Sequence, residues 1–150
     1  MSFFNYPDAV AAAMAPDDPG RELFSGFTER EWQLVIDHGS LLGFGSGEEI
    51  IRAGERDDAV YIVVDGAVEV VVRGQVVDQI VAGSAFGEVA FFDLAPRTAT
   101  IRGERAGSAL TFSRGNLDQL ASKEPAVAMK VVLELGRLLA QRYRPLREKN

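Results

Sequence analysis

The chain reads as an α+β protein whose antiparallel strands form a sandwich or a barrel, with an antiparallel β-barrel of jelly-roll type as the expectation, a helical segment before it and two helices after it. Two observations point there. From Leu41 to Arg114 the apolar residues fall in short β-branched runs, most of them closed by a glycine. On either side of that block the apolar spacing is helical.

The first helical segment is "FTEREWQLVIDHG". Thr28 is an N-cap with Glu31 three positions on, which makes a capping box, and Gly39 is the stop. Trp32, Val35 and Ile36 share one face. Residues 1–20 read as a separate N-terminal extension, with an Ala-rich helix "DAVAAAMA" stopped by "PDDPG". Residues 21–150 form the folded domain.

The strands come next. "EEIIRAG", "AVYIVVDG", "AVEVVVRG" and "QVVDQIVAG" end at Gly54, Gly66, Gly74 and Gly83, and "VEVVV" with "QVVDQIV" makes a hairpin around "RG". "TATIRGE" and "SALTFSR" are two further strands turning at "RAG". After Arg114, "NLDQLASKEP" is a short helix, and Pro125 opens the next one. There Val127, Val131, Leu135 and Leu138 make an apolar stripe, either core or a seam for a partner, and Pro145 ends the helix.

Composition narrows the function. The chain has 150 residues, enough for one domain with one core. Its net charge of −6 argues against a nucleic-acid binder, which needs a basic face. The basic end, "RLLAQRYRPLREKN", suits a solvated helix C-terminus. There is no cysteine, and no apolar run approaches the roughly 18 residues of a membrane span. The N-terminus lacks the basic start of a secretory signal, so a cytoplasmic location is expected. A metal enzyme on a small barrel is disfavoured. Such sites want two or more histidines, whereas His38 is alone and near a helix end, where a surface or capping role is expected. Asp57, Asp58 and Asp65 sit at turns and read as solvated turn residues.

The chemistry concentrates in the loop between the strand ending near Gly83 and "TATIRGE". "GEVAFF" opens a short helix on Gly87, and free amides at such an N-terminus favour an anion. Arg97, set by Pro96, can give two bonds to phosphate oxygens. Glu88 can accept from a hydroxyl beside that phosphate. From spacing alone, an ion pair between Glu88 and Arg97 closing the loop is an equal alternative.

At these residues the sequence resembles the cyclic nucleotide-binding domain family, whose members include the catabolite activator protein, kinase regulatory subunits and cyclic-nucleotide-gated channels. "FGEVAFFDLAPRTATI" is similar throughout to the family's phosphate-binding cassette, including the interval from glutamate to arginine. The likeness extends from about "ELFSGFTERE" to "LLAQRYR", with Gly54 and Gly66 at characteristic turns. The resemblance implies that Glu88 accepts the ribose 2′-hydroxyl and Arg97 binds the exocyclic phosphate oxygens. Amides near Gly87, Glu88, Ala90 and Thr98 complete the cradle, and Val89 and Ala99 fall in the same cassette. It also implies that Val70, Val72 and Ile80 wall the base, and that the last helix is a lid with contacts from Leu138, Arg142 and Tyr143.

The implied ligand is a 3′,5′-cyclic purine nucleotide, sensed and not hydrolysed, with no metal and no other cofactor. Cyclic AMP is favoured. Cyclic GMP is the alternative, because a threonine at Thr98 bonds the guanine 2-amino group in some members and is permissive in others. The partners implied are the nucleotide, a protein effector of unknown identity and a homodimer through the C-terminal helix, with neither nucleic acid nor membrane. No helix-turn-helix, kinase-anchoring segment or membrane part is recognised, so a sensing unit is expected to stand alone or within something larger. The competing expectation is a degenerate domain that keeps the fold for protein contact and binds no nucleotide.

Overall fold

The computed structural model describes residues 23–148. The expected Ala-rich helix and the extension over residues 1–20 lie outside them.

Helix α1 (Glu29–His38) begins as expected. The Thr28 hydroxyl accepts from the Glu31 amide at 3.1 Å, and the Glu31 carboxylate accepts from the Thr28 amide at 2.9 Å. Each bond satisfies an amide that the helix itself leaves unpaired. At the other end the Gly39 amide donates to the carbonyls of Val35 and Ile36. His38 keeps to the helix end, its Nδ1 2.8 Å from the Leu34 carbonyl.

Six strands follow, all paired antiparallel: β1 (Ser40–Phe44), β2 (Glu49–Ile51), β3 (Val60–Val72), β4 (Gln75–Val81), β5 (Ala85–Phe86) and β6 (Thr100–Phe112). The sheet path is β1-β6-β3-β4, with β2 also on β6 and β5 also on β3. The β3–β4 hairpin turns as expected on Arg73 and Gly74, both at positive φ (52° and 77°), the two-residue geometry that matches strand twist.

Three expectations change. Gly66 and "RAG" do not end strands, because β3 and β6 each run unbroken for 13 residues. The reason is a bulged crossing. Pairing between them shifts near Asp65 and Ala67, Gly66 holds φ at 79°, and a Cβ on Gly107 would lie 2.0 Å from the Asp65 carbonyl oxygen. The barrel is also not closed by hydrogen bonds, since no ladder joins β4 to β1 among the described residues. What stands is an antiparallel sheet with helices, consistent with the jelly-roll type.

After β6 come α3 (Arg114–Lys123), capped by Ser113 and Asn116, and α4 (Pro125–Glu148). The third change is that α4 continues through Pro145. A proline removes one backbone donor, a loss that a long helix tolerates near its end.

The core has two parts. Trp32, Val35, Leu120 and the α4 stripe Val127, Val131, Leu135 and Leu138 pack against Val60, Ile62 and Val64 of β3. Tyr61 and Val63 point the other way, with Ile51, Val68, Ile80, Phe86 and Ile101. Both faces of β3 are therefore covered, which accounts for its continuous apolar run. The stripe docks on this chain's own sheet and so is core.

Candidate functional site

The expected loop joins β5 to β6. Gly87 holds φ at 85° and caps helix α2 (Glu88–Asp93) without a side chain. A Cβ there would meet the Ala59 carbonyl oxygen and Arg97 Nη1, each at 2.9 Å. Glycine thus supplies both the left-handed turn and the room for the guanidinium.

Glu88 and Arg97 are buried, at 6% and 7% exposure. A buried charge needs partners. They are not each other's, so the loop-closing ion pair is not what forms. Arg97 donates through Nη1 to the Gly87 carbonyl at 2.8 Å and through Nη2 to the Ala59 carbonyl at 2.5 Å. Its Nη2 is 3.1 Å from Asp57 Oδ2, while its buried Nε has no partner.

Asp57 in turn accepts from the Tyr61 hydroxyl at 2.7 Å and from the Ala59 amide at 2.9 Å. Burial pushes its carboxyl up, but the Tyr61 and Ala59 bonds and the Arg97 charge outweigh this and hold it below the usual range. Burial and the bond to the Asp57 carboxylate push the Tyr61 hydroxyl well above its ordinary value. Asp57 is therefore not the solvated turn residue expected of it. Its carboxylate anchors the arginine because the turn before β3 lies against the cassette: the Arg97 amide donates to Glu55 and the Gly54 amide to Arg97.

Glu88 pairs with the last helix. Its Oε2 is 2.8 Å from Arg142 Nη1, and Arg142 Nη2 donates to Ser84 Oγ at 3.1 Å and to the Ala85 carbonyl at 2.6 Å.

Glu88, Arg97 and Arg142 border a cavity of about 280 Å³. It brings together most of the expected site: Gly87, Glu88, Val89 and Ala90 from the start of α2, Arg97, Thr98 and Ala99 ahead of β6, Val70 and Ile80 from the hairpin, and Arg142. Three expected residues are absent from the lining. Leu138 is 2% exposed in the helix-side core, one turn before Arg142. Tyr143 follows Arg142 by one position, a rotation of about 100° that turns it away from the cavity, and is 56% exposed. Val72 stands at the hairpin turn, beyond the cavity's end.

The sequence reading missed the apolar wall of Ile51, Phe86 and Ile101, and the carboxylates Asp78 and Asp93. Inward strand phase could have found Ile51 and Asp78. Nothing local marks Asp57 as the partner of Arg97.

The family model described as cyclic nucleotide-binding domain matches residues 42–124, more than half of the chain. The chain belongs to the cyclic nucleotide-binding domain family. The matched span contains the whole cassette. A cAMP-dependent protein kinase regulatory subunit of Yarrowia lipolytica is 39% identical over 79 residues, covering 53% of this chain and 21% of that protein. A cGMP-dependent protein kinase of Eimeria tenella is 31% identical over 104 residues, covering 66% of this chain and 10% of that protein. The chain thus corresponds to a small part of these relatives. A solved cyclic nucleotide-binding domain from Methylobacillus flagellatus KT matches 97% of this chain and 80% of its own at a TM-score of 0.78, with 21% identity, a likeness of fold. The family is a regulatory binding domain, not a catalytic one.

Chemically, the site offers a cation for an anionic group, a carboxylate for a hydroxyl beside it and an apolar wall for a flat ring. No helix of the described residues is long and apolar enough to cross a membrane.

Proposed function

We propose that this chain binds a 3′,5′-cyclic purine nucleotide, cyclic AMP in preference to cyclic GMP, and acts in the cytoplasm as a non-catalytic sensor. One observation carries the reading: buried Glu88 and Arg97 border the same apolar-walled cavity without pairing with each other. Arg97, with its unpartnered Nε, receives the cyclic phosphate, and Glu88 accepts the ribose hydroxyl through the oxygen that Arg142 leaves. Val70, Ile80, Ile51 and Ile101 cover the base. Thr98, at the cavity, is the residue through which cyclic GMP would compete.

Helix α4 is the output element in this reading. Arg142 links it to Glu88, so a ligand at Glu88 acts on the helix. Its exposed side carries Met129 and Leu133, where a homodimer would form.

The test is calorimetry with cyclic AMP and cyclic GMP, followed by chromatography of the recovered nucleotide. Micromolar binding of an intact nucleotide is expected. No binding at high micromolar concentration overturns the proposal, and recovery of a ring-opened product overturns its non-catalytic part.

A second reading, a domain kept for protein contact alone, has one observation in its favour. Asp57 and Arg142 already satisfy most of the charge of Arg97 and Glu88 without a ligand. The same titration separates the two.

A further inference from the structure

The β3–β4 wall of the cavity carries one charge. Asp78 and Ile80 lie two positions apart on β4, so their side chains share a face, and both line the cavity. Their cross-strand partners on β3 are Val70 and Val68, the first also lining the cavity and the second buried behind it. Ile51, Phe86 and Ile101 continue this surface. The other charged side chains at the cavity come from elsewhere: Glu88, Asp93 and Arg97 from the cassette, and Arg142 from α4.

Asp78 is weakly engaged by the protein. Its Oδ1 accepts the Gln79 amide at 2.8 Å, a contact with the neighbouring residue. Among the described residues the ion pairs near the cavity join Arg97 to Asp57, Arg102 to Glu69 and Arg142 to Glu88, and none takes in Asp78. Among the described residues no hydrogen bond or ion pair takes Oδ2, and Asp78 is an exposed residue, so this oxygen is open to solvent water. A flat ring sliding along this wall displaces that water. A ring that presents an N–H donor replaces the lost bond, whereas a ring that presents only acceptors leaves the carboxylate poorly solvated. A site built around one acceptor discriminates by what it is left facing.

With phosphate and ribose held at Arg97 and Glu88 as proposed, the part of the cavity lined by Val70, Ile80 and Asp78 is left for the base. We infer that Asp78 is a specificity-determining residue, whose carboxylate accepts the 6-amino N–H of an adenine ring. This rests on the proposed function and adds to it a reason for the preference between purines. Adenine offers a donor at position 6, and guanine offers an acceptor oxygen there. If guanine instead turned its N1 and N2 donors to Asp78, the preference would reverse, and the test reads that outcome.

The experiment is calorimetric titration of the full chain with cyclic AMP and with purine riboside 3′,5′-cyclic monophosphate, which lacks the 6-amino group and has no N–H on the base, and with cyclic GMP as a third ligand. Wild type, Asp78→Ala and Asp78→Asn are compared, with urea unfolding to show that each variant folds. Wild type is expected to prefer cyclic AMP by about tenfold, the value of one charged hydrogen bond at a partly wet site. Asp78→Ala should bring the two within about threefold, and Asp78→Asn, which keeps an acceptor, should fall between. Equal wild-type affinities, or a preference unchanged in Asp78→Ala, overturn the inference while leaving nucleotide binding intact. In that case Asp78 serves only as an inward charge that guards an outer strand against wrong pairing. Tighter binding of cyclic GMP that Asp78→Ala abolishes overturns the assignment to the 6-amino group. Binding of none of the three nucleotides overturns both this inference and the proposed function.

Discussion

Arg142 Nη1 stands 2.8 Å from Glu88 Oε2, and this contact ties the last helix to the carboxylate proposed to read a ribose. The same guanidinium holds the Ala85 carbonyl at 2.6 Å, so α4 is latched to the start of the cassette at two points. Replacing Arg142 by alanine leaves Glu88 buried with its charge unmatched. A charged hydrogen bond of this kind contributes roughly 1.5–3 kcal/mol. Amide exchange near residues 135–144 should then be faster in Arg142→Ala than in wild type. Saturating cyclic AMP should raise protection over the same stretch in wild type. Identical exchange in all three samples would show that α4 is not coupled to the site.

Arg97→Ala should weaken nucleotide binding more than Glu88→Ala does. Arg97 meets a charge, whereas Glu88 meets a neutral hydroxyl. Loss of one partner of a buried charged contact costs roughly 2–5 kcal/mol, which calorimetry resolves. Unchanged affinity in Arg97→Ala would remove the cassette as the site.

Asp57→Asn probes the anchor of Arg97. The folded-state pKa of Asp57 is depressed, so its contribution to stability is present above the unfolded value of about 3.9 and is lost as pH falls through the folded value. Wild type should therefore be more stable than Asp57→Asn at pH 7, and the gap should narrow below about pH 4. Urea midpoints across that range decide it, and a gap independent of pH would assign the effect to something other than the carboxylate's charge.

Gly87→Ala should both destabilise the fold and weaken binding. A left-handed alanine costs roughly 1–2 kcal/mol, and the added methyl would press on the Ala59 carbonyl and on Arg97. A lower urea midpoint together with weaker cyclic AMP binding is expected. An unchanged midpoint would mean that the turn rearranges at no cost.

The amino-acid sequence alone determined the features whose causes are local. The Thr28–Glu31 capping box, the Arg73–Gly74 hairpin turn, the opening of α2 on Gly87 and the apolar stripe of α4 each depend on residues a few positions apart. The cassette was legible for the same reason, being one continuous stretch. Tertiary structure decided which charges meet. Glu88 and Arg97 are close in sequence, yet each is buried beside a group from elsewhere, Arg142 for one and Asp57 for the other. It also decided that Gly66 bends a strand and does not end it, because a glycine needed for a turn and one needed for a close crossing read alike until the opposing backbone is in place. Helix phase separated Tyr143 from the cavity, whereas Leu138, on the same face as Arg142 but one turn earlier, was separated by its position along α4. A rotation of about 100° turns Tyr143 aside from Arg142, which among the described residues is the one α4 residue at the cavity, and that phase is set by how the stripe docks on β3.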